Sequence, residues 1–290
     1  MTGLRYESPP TLDAAVALLN NAKGLARVLA GGTDVIVQME TDLIEPELLV
    51  DIKKIPGLRT IVAENGGFRI GATVSGMEMV EHAALCATWP GVIDGVKLIG
   101  SIQVKGRATI AGNLCNGSPA ADSVPPLAAA GAVARVIGPQ GTREIAVAKI
   151  PAGPGKTHLG KGEIVESIFL PARAKHSGDA YERFTPRTEM DIAVVGVAVN
   201  LTLDTSGVVI SARVVLGAVA PTILEPADCA KAIVGTRLEE AALEQLAAAA
   251  SAACRPIDDK RGTREFRVTV AGVLARRVAQ KAYDRARHIA

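Results

Sequence analysis

Apolar positions recur along the chain with two periods, one suited to helices and one to strands. Their arrangement separates a first part of short alternating elements from a last part of long ones. In residues 11–23 (TLDAAVALLNNAK), Leu12, Val16 and Leu19 share one helical face behind Thr11, a candidate N-cap, and Gly24 ends the run. The apolar run RVLA (27–30) leads into Gly31-Gly32-Thr33-Asp34, which predicts a strand, a glycine turn and a helix starting near Asp34 that Pro46 keeps short. LLVDI (48–52), residues 58–63 and FRIGA (68–72) read as strands, the last two joined at Asn65-Gly66-Gly67. Ser75-Gly76-Met77-Glu78 is a capping box opening a helix to about Leu85. Helices over residues 92–99 and 123–130 follow, then a hairpin of residues 132–137 and 142–147 about GPQG.

A polar segment, PARAKHSG (171–178), marks a boundary. Beyond it, residues 193–203 and 208–219 alternate and predict a long antiparallel hairpin about DTSG. Helices are expected over residues 226–234, 239–253 and 263–287, the last with Phe266, Val270, Val273, Leu274 and Val278 on its apolar face. Strands followed by helices make an α+β pattern.

Composition narrows the function without naming it. With 290 residues, 48% apolar and 21% charged, the chain has the make-up of a soluble globular protein, and a net charge of +2 gives no pull towards nucleic acid or an anionic membrane. The basic cluster RRVAQKAYDRARH (276–288) reads as a solvated helix face. Cys86, Cys115, Cys229 and Cys254 form no CxxC pair and read as small core residues, and no histidine spacing suggests a metal site. No apolar leader or long apolar run is evident, so a cytoplasmic location is expected.

Two stretches poor in large side chains stand out. The glycines of AGGTD (30–34) let a backbone approach a phosphate closely, although a plain capped turn explains them equally well. Asp51 lies twenty residues after Gly31, as a ribose-binding acid would in a dinucleotide fold, but the third glycine of that fingerprint is missing. The second stretch, ATIAGNLCNGSPAADSVPPLAAAGA (108–132), holds Asn113, Ser118 and one acid, Asp122. Two such turns far apart suit the pyrophosphate of a dinucleotide, with Asp122 accepting from ribose hydroxyls. An Asx turn for Asn113 and a helix N-cap for Asp122 are the structural alternatives.

AGGTDVIVQM (30–39), IGSIQV (99–104) and residues 108–132 resemble the two FAD-binding signatures of the flavoprotein (medium) subunit of the molybdenum hydroxylases, the family of xanthine dehydrogenase and aerobic carbon monoxide dehydrogenase. The likeness continues through GPGKTHLGKGEIVESIFLP (153–171) and YERFTPRTEMDIAVVGVAV (181–199), and so covers nearly the whole chain. It implies a vanillyl-alcohol-oxidase (PCMH)-type FAD-binding fold over residues 1–175, in two α+β lobes of about 1–57 and 58–175. A C-terminal α+β domain of antiparallel sheet and helical bundle would occupy residues 176–290. By position in the motifs, Val28, Leu29, Ala30, Gly31, Gly32, Thr33, Asp34 and Val35 would cradle the pyrophosphate and adenosine side, and Ile99 would pack on the cofactor. Thr109, Ile110, Ala111, Gly112 and Asn113 would complete the clamp with Ser118 nearby, Asp122 would anchor the ribose, and Ile192 would lie beside the flavin ring. Lys105-Gly106 and Ala111 depart from the usual Arg-Asn and Gly, and the cysteine-rich insert of members with an extra cluster is absent.

The resemblance further implies that FAD is bound non-covalently and carries the chemistry. The partners would be an iron–sulfur small subunit and a molybdenum large subunit, in a dimer of heterotrimers. A free-standing FAD oxidase or reductase, a nicotinamide enzyme using Gly31, Gly32 and Asp51, and a cofactor-free scaffold are the competing readings.

Overall fold

The computed structural model describes residues 3–187 and 190–288. The chain begins with β1 (Arg5–Glu7), α1 (Leu12–Asn21), β2 (Ala26–Leu29), α2 (Val35–Glu40) and β3 (Leu48–Asp51). The strands form a parallel sheet in the order β1-β3-β2. Thr11 caps α1 as its sequence predicts, its Oγ1 accepting from the Ala14 amide at 3.2 Å, and Ala15, Val16 and Leu19 are buried beneath it. No residue of α2 is buried, so this single short turn of helix is held by what flanks it rather than by a core face.

Next come β4 (Ile61–Glu64), β5 (Gly67–Gly71), α3 (Gly76–Glu81), α4 (Ala83–Thr88), α5 (Pro90–Lys97), α6 (Ile102–Lys105), α7 (Ile110–Cys115), α8 (Val124–Ala129), β6 (Val133–Gly138), β7 (Gly141–Ala146), β8 (Pro151–Gly153), β9 (Lys156–Thr157) and β10 (Ile164–Leu170). Strands β4-β5-β10-β6-β7 make one antiparallel sheet. The capping box at Ser75 and Glu78 is formed, but the single helix expected from it is two. His82 leaves the helical conformation and its Nδ1 accepts from the Leu85 amide at 3.1 Å, which starts α4. One apolar cluster, including Val50 and Ile52 from the first lobe and Ile70, Leu127 and Ile168 from the second, runs through both lobes.

The last part contains β11 (Ser177–Phe184), β12 (Val195–Leu203), β13 (Val209–Gly217), α9 (Ala227–Ile233), α10 (Glu240–Ala253) and α11 (Arg264–His288). Its strands form an antiparallel sheet in sequence order, and its helices pack on it through a second cluster. Two expectations about α11 are corrected here. Leu274 and Val278 are buried as expected, but Phe266 and Val273 are 41% and 43% exposed, and Arg267, Ala271, Ala275, Ala279 and Ala282 are buried instead. The buried stripe is rich in alanine because the helix lies close on the sheet there. Nor is the basic C-terminal face wholly solvated. Arg285 pairs with Asp94 of α5 at 2.6 Å and donates to the Asp179 carbonyl at 2.8 Å, so its charge docks the domains together.

A cofactor-sized cleft between two lobes

A cleft of about 600 Å³ opens between the first two lobes. From the first lobe it is lined by Leu19, the start of β2, and the turn from Ala30 through Val35. From the second come Ile99, the turn from Ala108 through Asn113, and the loop of residues 159–163 with the start of β10. The two small-residue turns meet there. A side-chain carbon on Gly31 would collide with the backbone carbonyl oxygen of Arg107, so only glycine lets the turns approach this closely. Gly32 has φ +84°, the left-handed region, and a carbon added to it would press on Ile36 and Leu29 at 3.0 and 3.1 Å. Among the described residues, the amides of Gly31, Gly32, Thr33 and Asp34 donate to no protein acceptor. Four unpartnered donors on one turn, facing an open cleft, fit an anionic group such as a diphosphate. Opposite them, Thr109 caps α7 with its Oγ1 on the Gly112 amide at 2.9 Å, which fixes the second turn.

Most of the residues singled out from the motifs line this cleft: Val28, Ala30 to Val35, Ile99, Thr109, Ala111, Gly112 and Asn113. Leu29 and Ile110 lie just behind it, 8% and 1% exposed, and support the two turns from beneath. The remaining three stand apart. Ser118 accepts from the Ala120 amide at 3.3 Å within its own turn. Ile192 is 52% exposed on a segment where Asp191 binds Arg187, the Ile192 amide and Arg261, partners that hold its carboxyl well below the usual carboxylate range.

Asp122 is the instructive case. It is buried, and it does not line the cleft. Its Oδ1 accepts from the Tyr181 hydroxyl at 2.9 Å, and its Oδ2 pairs with Arg183, both on β11. Nor does it cap α8, whose N-cap is Ser123 and has no side-chain cap bond. Asp51 is likewise satisfied internally, by Tyr6 Oη at 2.5 Å and Lys53 Nζ at 2.8 Å, which leaves the dinucleotide fingerprint without its acid.

Several lining residues escaped the sequence reading. Gln38 and Asn116 line the cleft, and Gln38 Nε2 donates to Asn116 Oδ1 at 2.9 Å. Lys161 lines it too and donates to the Ala22 carbonyl at 2.8 Å. Cys115, expected in the core, is exposed on the cleft wall, whereas Cys229 and Cys254 are buried as expected. Gln38 follows the first glycine turn by one helical turn, the only local hint that it faces the same way. Among the described residues no group of three His, Cys, Asp or Glu side chains is placed to hold a metal ion, and no helix is long and apolar enough to cross a membrane.

Comparison with known proteins agrees with this geometry. Residues 2–173 match the family described as the FAD binding domain in molybdopterin dehydrogenase, and residues 180–282 match the CO dehydrogenase flavoprotein C-terminal domain. The chain is 35% identical over 283 residues to the carbon monoxide dehydrogenase medium chain of Afipia carboxidovorans, covering 98% of each chain. It is 29% identical over 279 residues to the putative xanthine dehydrogenase FAD-binding subunit of Escherichia coli, covering 96% of this chain and 95% of the relative. A solved structure of carbon monoxide dehydrogenase from Hydrogenophaga pseudoflava superimposes with a TM-score of 0.93 at 32% identity, over 98% of both chains. The α+β architecture is thus that of a flavin domain with its C-terminal partner domain, and the chain belongs to the FAD-binding medium chains of the molybdenum hydroxylases, oxidoreductase subunits of multi-subunit complexes.

Proposed function

We propose that one FAD lies non-covalently in the interlobe cleft, its diphosphate held between the turn of Gly31 to Asp34 and the turn of Thr109 to Asn113. The observation that carries this reading is the pair of turns in backbone contact, one of them with four amides lacking a protein acceptor. FAD supplies two-electron and one-electron redox chemistry when bound. The chain's own residues bind and orient it: Leu29 and Ile110 stiffen the turns from below, Thr109 fixes the second turn, and Ile99 offers an apolar contact.

In this proposal the chain accepts electrons from an iron–sulfur subunit, while a molybdenum subunit handles the organic substrate, in a dimer of heterotrimers. The relatives support the division of labour. Medium chains named for carbon monoxide and for xanthine match this chain along nearly its whole length, so substrate identity is not written into this fold. The flavin domain is assigned to residues 1–175 and its partner domain to 176–290, with Asp122 tying the two together through Tyr181 and Arg183.

Purification from the source cell tests the whole reading. The expected result is a yellow complex with iron and molybdenum in the co-purifying chains, from which acid releases all the flavin. A monomer fully active alone, or flavin retained on the precipitated chain, contradicts it.

A further inference from the structure

The cleft has a back and a mouth, and they are held by different forces. At the back the lobes share one apolar core. Elsewhere, apart from the turn at residues 55–60 where the chain passes from one lobe to the other, only two hydrogen bonds among the described residues join residues 3–57 to residues 58–175, and no ion pair does. One is Gln38 Nε2 to Asn116 Oδ1 at 2.9 Å, the other Lys161 Nζ to the Ala22 carbonyl at 2.8 Å. All three side chains line the cleft. Gln38 and Asn116 follow the two phosphate-facing turns, whereas Ala22 ends α1 and Lys161 sits in the loop whose Gly162 lies against Asn20.

We propose that these two bonds are latches: Lys161 and the pair of Gln38 and Asn116 hold the mouth closed over FAD and set the rates at which it enters and leaves. The inference rests on the cleft being the FAD site. Each latch is a single hydrogen bond with a long polar side chain at the cleft surface, so it can open without disturbing the shared core. Lys161 is exposed, and its ammonium reaches a carbonyl that α1 leaves without an intrahelical partner. Residues of this kind are positioning residues, acting on the cofactor by fixing the lobes around it.

A latch differs kinetically from a cofactor contact. Losing a contact speeds release alone, because the free protein is unchanged. Losing a latch leaves the free cleft open more of the time, and so speeds entry as well as release.

Stopped-flow flavin fluorescence on the full chain with FAD distinguishes the two. Lys161→Met and Gln38→Met should each raise both the association and the dissociation rate by about fivefold, the effect of removing one net hydrogen bond. The double variant should multiply the two effects, since the latches share no partner. Lys161→Arg, which keeps a donor of similar reach, should behave as the unaltered chain. Faster release with unchanged association would make Lys161 a direct FAD contact and overturn the latch, as would rates unmoved in both methionine variants. An unaltered chain that takes up no FAD would instead overturn the reading of the cleft itself.

Discussion

The hydroxyl of Tyr181 on β11 donates to Oδ1 of Asp122, just ahead of α8, at 2.9 Å, so the C-terminal sheet reaches a carboxylate buried inside the flavin domain. Arg183, two residues along the same strand, pairs with the other oxygen, and both charged side chains are less than a tenth exposed. Removing one member of a buried pair leaves the other charge uncompensated and costs about 3–5 kcal/mol. Asp122→Asn is therefore expected to lower apoprotein stability by about 3 kcal/mol while leaving the FAD dissociation constant within about threefold, since the residue lies off the cleft. Urea unfolding and flavin titration measure the two separately. A tenfold weaker FAD affinity at unchanged stability would restore the ribose role that the motif suggests.

The same carboxyl makes stability depend on pH. Burial pushes Asp122 up from 3.8 to about 6, outweighing the opposing effects of Arg183 and Tyr181. Between those values the folded chain binds more protons than the unfolded one. The Asp122 contribution to stability therefore falls as pH rises through that window, and is restored as pH falls back through it. Unfolding curves for the natural chain and Asp122→Asn, recorded from pH 4 to pH 7, should converge as pH rises, because only the natural chain loses stability through that window. A difference constant across the window would show that Asp122 keeps its charge throughout.

Gly31→Ala is expected to fold but to lose FAD. Its new methyl group would collide with the Arg107 carbonyl, and relieving that overlap by parting the turns costs about 1–3 kcal/mol, or roughly tenfold to a hundredfold in affinity. Flavin absorbance per chain after gel filtration reports it. Full flavin content would mean that the turns separate without consequence for binding.

Cys115 offers a label for occupancy. It is exposed at the cleft wall, although crowding by the surrounding protein pushes its thiol up to about 12, so a mercurial that displaces the proton of a neutral thiol is the suitable reagent. The apoprotein should react at Cys115 within minutes, and FAD should protect it. The buried Cys229 and Cys254, raised to about 12 and about 11, should stay unreacted until unfolding. Peptide mapping of the labelled chain reads out each site.

Arg285→Ala should loosen the domains without touching the cleft. Its guanidinium pairs with Asp94 and donates to the Asp179 carbonyl, and removing such charge-assisted bonds costs about 1.5–3 kcal/mol. Calorimetry should show a lower or split transition with an unaltered FAD affinity. A single unshifted transition would assign the docking to the remaining contacts.

What the sequence made legible was local. Thr11, the Ser75 capping box, the turn at GPQG and the hairpin about DTSG each carry their signal within a few residues, and each forms where read. His82 did not announce itself, because a histidine inside a helical run looks like any other polar position until its ring caps the next turn. The face of α11 is legible at Leu274 and Val278 but not at its alanines, because periodicity weights large apolar residues whereas close packing on a sheet selects small ones. At the site, glycine turns are visible in sequence, since only glycine meets their steric demand. Gln38, Asn116 and Lys161 act through partners 78 and 139 residues away, and no local pattern encodes a pairing at that distance.

The absent side chain of Gly31 has a consequence for how such sequences can vary. Because that position is filled by the backbone of Arg107, the two turns are not independent parts that can drift separately. A lineage that gained a side chain at 31 would have to withdraw the segment at 107–108, which follows α6, in compensation. Positions 31 and 107–108 are therefore expected to change together or not at all, and a chimaera that takes one turn from a distant relative should take the other with it.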